Sequence, residues 1–191
     1  MTLGVRAYLD PLLLGGLLGS ATLGLLNPFY TTHILAHLNI QVLSVGSFLL
    51  SCLPFLVASL LGAEKWQIAL LKRLPWILAI EFALTAASGV LLLRTLAGFY
   101  LANTAIYGLL NTIILCLMQR IKVQRYPGNK RTGYERRYLA ADALGYGLGS
   151  GLVMLGIVKN LPIWGVFGLS LLQVAILEIA CLLGFWEHSP A

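Results

Sequence analysis

Two glutamates sit inside long apolar stretches: Glu81 in LPWILAIEFALTAAS and Glu178 in LLQVAILEIACLLG. A carboxylate near the centre of a bilayer costs a few kcal/mol, so such groups are paired, protonated or turned to a cavity. The chemistry they offer is proton or cation coupling; the alternative is a side chain that snorkels to the cytoplasmic interface or pairs with loop arginines. Asp142, five residues from Arg137, fits that alternative better. Amides make a second set. Asn27 ends Ala21-Thr22-Leu23-Gly24-Leu25-Leu26-Asn27, and Asn111 ends Ala105-Ile106-Tyr107-Gly108-Leu109-Leu110-Asn111, with five of seven positions identical. A buried amide is costly without a partner, so two at equivalent places point to a shared polar cavity, shaped by Tyr30 and Tyr107. His33 and His37 are four residues apart, a spacing that puts them on one helix face at the outer end of the first helix, and two histidines alone are an incomplete metal site. An interfacial polar pair at the mouth of a vestibule, with Tyr30, Thr31 and Thr32, is the expectation there.

Enzyme constellations are weak. Ser150 lies in the glycine-rich string Gly147-Leu148-Gly149-Ser150-Gly151, but a serine nucleophile needs a histidine base. The only later histidine is His188, in the tail. No acidic cluster suits magnesium and no Cys-His pair is in reach, so the chain is expected to be no enzyme and to need no metal or cofactor. Cys52, Cys116 and Cys181 are odd in number, lie in apolar segments and have no C-x-x-C spacing, which leaves packing as their role.

These residues need elements to position them, and composition says which kind. Of the 191 residues 59% are hydrophobic and 10% charged, and the mean hydropathy is +0.86. A soluble domain carries about 25% charged residues; this chain suits an apolar solvent. Six membrane-crossing helices are expected, at about 11–36, 41–63, 75–94, 96–119, 138–158 and 162–186. Pro11, Pro75 and Pro162 fall at helix starts, where the missing N–H is harmless. Pro28 and Pro54 fall inside, where each frees a carbonyl that a neighbour or a cavity must satisfy. A glycine-rich N-terminal helix running past signal-peptide length is read as retained.

Lysine and arginine placement gives orientation. Arg6, Lys65, Lys72, Arg73, Arg120, Lys122, Arg125, Lys130, Arg131, Arg136 and Arg137 fall on one side of a six-span topology, against Arg94 and Lys159 on the other. The positive-inside rule then places both termini in the cytoplasm of a multi-pass cell-membrane protein. Residues 120–137 read as a long basic cytoplasmic loop. Its net charge speaks for topology and anionic-lipid contact, not nucleic acid; an anionic lipid or nucleotide ligand is the second reading. Because the two amide motifs are three helices apart, the second enters from the opposite side. That is an inverted three-plus-three repeat, the plan of many transporters. Small residues recur at four-residue spacing: Gly15 with Gly19 and Gly16, Ser20 and Gly24 in the first helix, then Ala141, Gly145 and Gly149 beside Gly147 and Gly151 in the fifth. Such faces let helix backbones approach closely.

With these features the chain resembles one half of a major facilitator superfamily transporter. The stretch from Asp10 to Gly62 is similar to that family's first helix pair, and Arg136-Arg137-Tyr138 through Gly151 is similar to its fifth helix. It departs at the connection after the second helix, where the family pattern is about G-x-x-x-D-R-x-G-R-R and this chain has Gly62-Ala63-Glu64-Lys65-Trp66-Gln67. The resemblance implies a homodimer with the pathway on its two-fold axis. The expected function is transport of a small solute across the lipid bilayer, with Asn27, Tyr30, Tyr107 and Asn111 binding it and Glu81 or Glu178 coupling protons. Two rival readings are the substrate-binding membrane subunit of an ATPase-driven vitamin importer and a non-transporting scaffold subunit.

Overall fold

A computed structural model of the chain describes residues 10–62 and 64–186; Arg6, Ala63 and His188 lie outside them. The described residues contain helices and turns and no strand. In order they form α1 (Pro11–His33), a 3-10 turn (Leu35–His37), α2 (Ile40–Leu60), α3 (Glu64–Leu71), α4 (Leu74–Leu92) and α5 (Leu96–Ile106). A π-helical turn (Tyr107–Asn111) leads without interruption into α6 (Thr112–Arg125), followed by α7 (Asn129–Met154) and α8 (Ile163–Trp186).

Among the described residues five helices are long and apolar enough to cross a membrane: α1 with the 3-10 turn that follows it, α2, α4, the continuous Leu96–Arg125 rod and α8. Local chemistry explains their ends. Asn39 caps α2 by accepting from the Val42 N–H at 2.9 Å, and Thr95 caps α5 by accepting from Gly98 N–H at 2.9 Å. Asp10 caps α1 by accepting from Leu12 N–H at 2.9 Å, with Pro11 in the first helical position.

Three expectations need correction. The basic stretch 120–137 is not a long loop: α6 runs on to Arg125 and α7 starts at Asn129, leaving a connection of three residues. Lys, Arg, Gln and Glu are good helix formers, so a change from apolar to charged sequence marks the water boundary and not the helix end. The break falls at Pro127-Gly128, where Gly128 takes φ 63°. His33 and His37 do not share one helical face, since α1 ends at His33 and His37 belongs to the 3-10 turn. The short α3 occupies what was expected to be loop.

The chain divides into two compact units. Residues 32–120 form one. In it α4 packs on α5, and α2 packs on both α5 and the π turn. Gly46 of α2 lies against the Tyr100 ring, and Gly108 lies against the Leu49 carbonyl and Leu53. The buried face of α4 is Leu74, Leu78, Glu81, Thr85 and Ser88, spaced by four and three residues as one helical stripe requires.

Residues 1–31 and 121–191 form the other unit. Here α1 and α7 cross backbone to backbone. A Cβ on Gly145 would collide with the Leu17 carbonyl, one on Gly149 with the Ala21 carbonyl, and one on Gly24 with the Tyr146 carbonyl. Gly15 meets Ala180 of α8 in the same manner. The predicted second stripe of α7, Gly147 and Gly151, faces open space. Close approach thus uses the Ala141-Gly145-Gly149 stripe and leaves the other aside.

Candidate functional site

In the unit built from α1, α7 and α8, polar groups are joined across helices in a sequence that follows α1. At its start Asp10, 3% exposed, accepts from the Tyr126 hydroxyl at 2.5 Å and lies 3.4 Å from the Arg125 guanidinium. Lys122 is buried with its ammonium 3.5 Å from the centroid of the Tyr138 ring. Glu135, Asp10 and Asp142 are near enough to act on that charge. A buried cation is tolerable on these terms because the ring quadrupole and the acids replace water.

Two turns into α1, the Ser20 hydroxyl donates to Asp142. Asp142 is therefore used inside the helix bundle, while Arg137, the partner expected for it, borders a cavity. Farther along, Ser150 Oγ lies 3.3 Å from the Gly24 carbonyl and donates to it. This contact has a specific cause. Pro28 has no N–H, so the carbonyl four residues earlier, that of Gly24, lacks its helical donor; Ser150 of α7 supplies one. The serine considered above as a nucleophile is a backbone partner. One turn on, Asn27 Nδ2 donates to the Tyr146 hydroxyl at 3.1 Å. Tyr30 follows on α1, and Glu178 is buried on α8.

In the unit of residues 32–120, Tyr107 and Asn111 open and close the π turn. Asn111 is buried and Tyr107 is 54% exposed. Glu81 is 5% exposed on the polar stripe of α4, so protein covers it and its carboxylate does not snorkel outward. On the same stripe Ser88 Oγ contacts the Thr85 carbonyl at 2.6 Å and Asn103 Oδ1 of α5 at 3.2 Å.

The four residues expected to bind solute thus fall two in each unit: Asn27 and Tyr30 in one, Tyr107 and Asn111 in the other. Each pair sits at a helical irregularity that involves the same four letters. In α1 the string Gly24-Leu25-Leu26-Asn27 begins with the carbonyl that Pro28 leaves without its helical donor. In the second copy Gly108-Leu109-Leu110-Asn111 lies within the π turn. Sequence reasoning missed Asp10, Ser20, Lys122, Tyr126, Tyr138, Tyr146 and Asn103. Only Asp10 carries a local signal, the Asp-Pro pair at a helix start; the rest depend on cross-helix partners. Among the described residues no group of three His, Cys, Asp or Glu side chains is placed to hold a metal ion.

No protein-family model, no curated protein and no solved structure matches this chain.

Proposed function

We propose that the chain is a membrane transporter of a small solute, with its solute-contacting groups at the two irregular helix segments. The observation that carries this reading is the coincidence of the Gly-Leu-Leu-Asn repeat with a proline irregularity in α1 and a π turn in the Leu96–Arg125 rod. Gly- or Pro-marked apolar segments at corresponding positions of two halves are the sequence-level mark of a transport site. Asn27, Tyr30, Tyr107 and Asn111 are the proposed contacts. Glu81, on a protein-covered polar stripe with Thr85 and Ser88, is the proposed proton carrier, with Glu178 second.

The proposal includes a sixth span, α7, and cytoplasmic termini. Its apolar part after Arg137, residues 138–154 of the helix, is about 26 Å long at about 1.5 Å per residue, close to the roughly 30 Å hydrocarbon core. Its hydropathy is lowered by glycines, Asp142, Tyr138 and Tyr146. The face away from α1 is apolar: Leu144, Leu148, Leu152 and Leu155 are exposed at helical spacing, the reverse of a helix facing water. A second six-helix half, a second copy of this chain, would enclose the pathway, and a monomeric mass in detergent would remove that part.

Cysteine accessibility tests the site. In a background lacking Cys52, Cys116 and Cys181, Asn27→Cys and Tyr107→Cys should react with a hydrophilic maleimide at least about tenfold faster than Phe48→Cys, because thiolate forms only where water reaches. Phe48, 64% exposed on α2, is the lipid-facing control. Equal rates at all three positions would overturn the reading.

A further inference from the structure

Beside the α6–α7 connection lies a cavity of about 320 Å³ lined by Leu13, Tyr126, Lys130, Gly133, Tyr134 and Arg137. The transport reading does not use it. From this cavity we infer a binding site for a phosphate ester, the headgroup of an anionic phospholipid or a soluble equivalent.

Four observations converge. First, the volume suits a headgroup, since small-molecule sites begin near 300 Å³. Second, its two charged lining residues are both cations, Lys130 and Arg137, two turns apart on one face of α7. The nearby acids are engaged: Glu135 pairs with Arg131 at 2.6 Å, and Asp10 is held by Tyr126 and Arg125. Third, the cavity lies along the first turns of a 26-residue helix, where the dipole favours an anion. Fourth, Tyr134 is 6% exposed and stacks on Tyr126 with centroids 4.1 Å apart, yet its hydroxyl has no hydrogen-bond partner among the described residues. A buried hydroxyl left unmatched is costly; a small shift of the Tyr134 side chain toward the cavity it lines would let a phosphate oxygen match it. Leu13 adds an apolar wall suited to the glycerol or acyl end of a lipid.

Native mass spectrometry of the full-length protein in detergent tests this, with phosphatidylglycerol and phosphatidylcholine as paired probes and glycerol 3-phosphate as a soluble competitor. The wild type should retain phosphatidylglycerol in preference. K130Q/R137Q should bind it about tenfold or more weakly, as expected for lost charge-assisted hydrogen bonds. R136Q/K159Q removes the same charge outside the cavity, keeps the Arg131–Glu135 pair, and should leave binding within about twofold. Tyr134→Phe gives a readout separate from folding. Deleting an unmatched hydroxyl should leave the thermal midpoint of the lipid-free protein unchanged or higher, while lowering affinity for phosphatidylglycerol about threefold to tenfold.

Competition by glycerol 3-phosphate with the same sensitivity to K130Q/R137Q would assign a soluble source, and lipid binding without competition a membrane source. Equal loss in both double variants would mean diffuse charge attraction and overturn the site, as would wild-type binding by K130Q/R137Q. Failure of the solute site at Asn27 and Tyr107 would leave these outcomes unchanged.

Discussion

At the scale of single residues, Ser150 and Pro28 make a pair whose energetics separate cause from coincidence. An interhelical hydrogen bond in a membrane protein averages about 0.6 kcal/mol, because a membrane-embedded unfolded chain finds other partners. The Gly24 carbonyl has lost its own helical donor to Pro28. Ser150→Ala should therefore cost more than that average, about 1–2 kcal/mol, as for an acceptor left unsatisfied. Pro28→Ala restores an N–H at position 28 and with it the helical donor for Gly24. In that background Ser150→Ala should be close to neutral. Unfolding by sodium dodecyl sulfate across the four variants of this cycle measures the coupling; additive effects would show that Ser150 does not answer the proline. The two residues are 122 positions apart, so the freed carbonyl is legible in the sequence and its partner is not.

Among elements, packing of α1 on α7 depends on which glycine stripe is used. Gly149 abuts the Ala21 carbonyl and Gly147 faces open space. Gly149→Leu must drive the two backbones apart, with a loss of about 1–3 kcal/mol or more. Gly147→Leu adds a side chain where there is room and replaces a poor helix former, so its unfolding midpoint should stay within about 0.5 kcal/mol of wild type. Similar losses in both would mean that glycine content, and not contact, holds the pair. Four-residue spacing announced both stripes, but spacing has no memory of what lies opposite, and nothing local distinguished Gly147 from Gly149. The same limit governs helix ends. Of the six apolar runs expected to cross, five coincide with helices long and apolar enough to do so, because lipid-facing surface must be apolar along its length. They misplaced 120–137 because a charged stretch keeps its helical backbone hydrogen bonds where its cations find partners, as Lys122 over Tyr138 and Arg125 beside Asp10 do at the end of α6. The π turn is invisible to composition, since Tyr-Gly-Leu-Leu-Asn forms it here while Gly-Leu-Leu-Asn in α1 does not.

For the whole molecule, the crossing of the bilayer by α7 has the largest consequence, because one span more or less reverses the orientation of everything after it. Mean hydropathy is a poor guide for this helix. Asp142 meets Ser20, Tyr146 meets Asn27 and Ser150 meets Gly24, all on α1, while Leu144, Leu148 and Leu152 are left exposed on the helix surface. Averaging around the helix mixes the two faces. Arg136 and Lys159 flank the apolar part of α7 and are both exposed, so they decide the matter directly. In cells expressing the cysteine-free background, a membrane-impermeant maleimide should label Lys159→Cys without permeabilisation and Arg136→Cys only after it. Eleven of thirteen basic residues then lie inside, as the charge bias requires. Labelling of both positions from the same side would make α7 a surface helix. The three-plus-three repeat would then lack its sixth crossing, although Asn27 and Asn111, separated by α1, α2 and α4, would still enter from opposite sides.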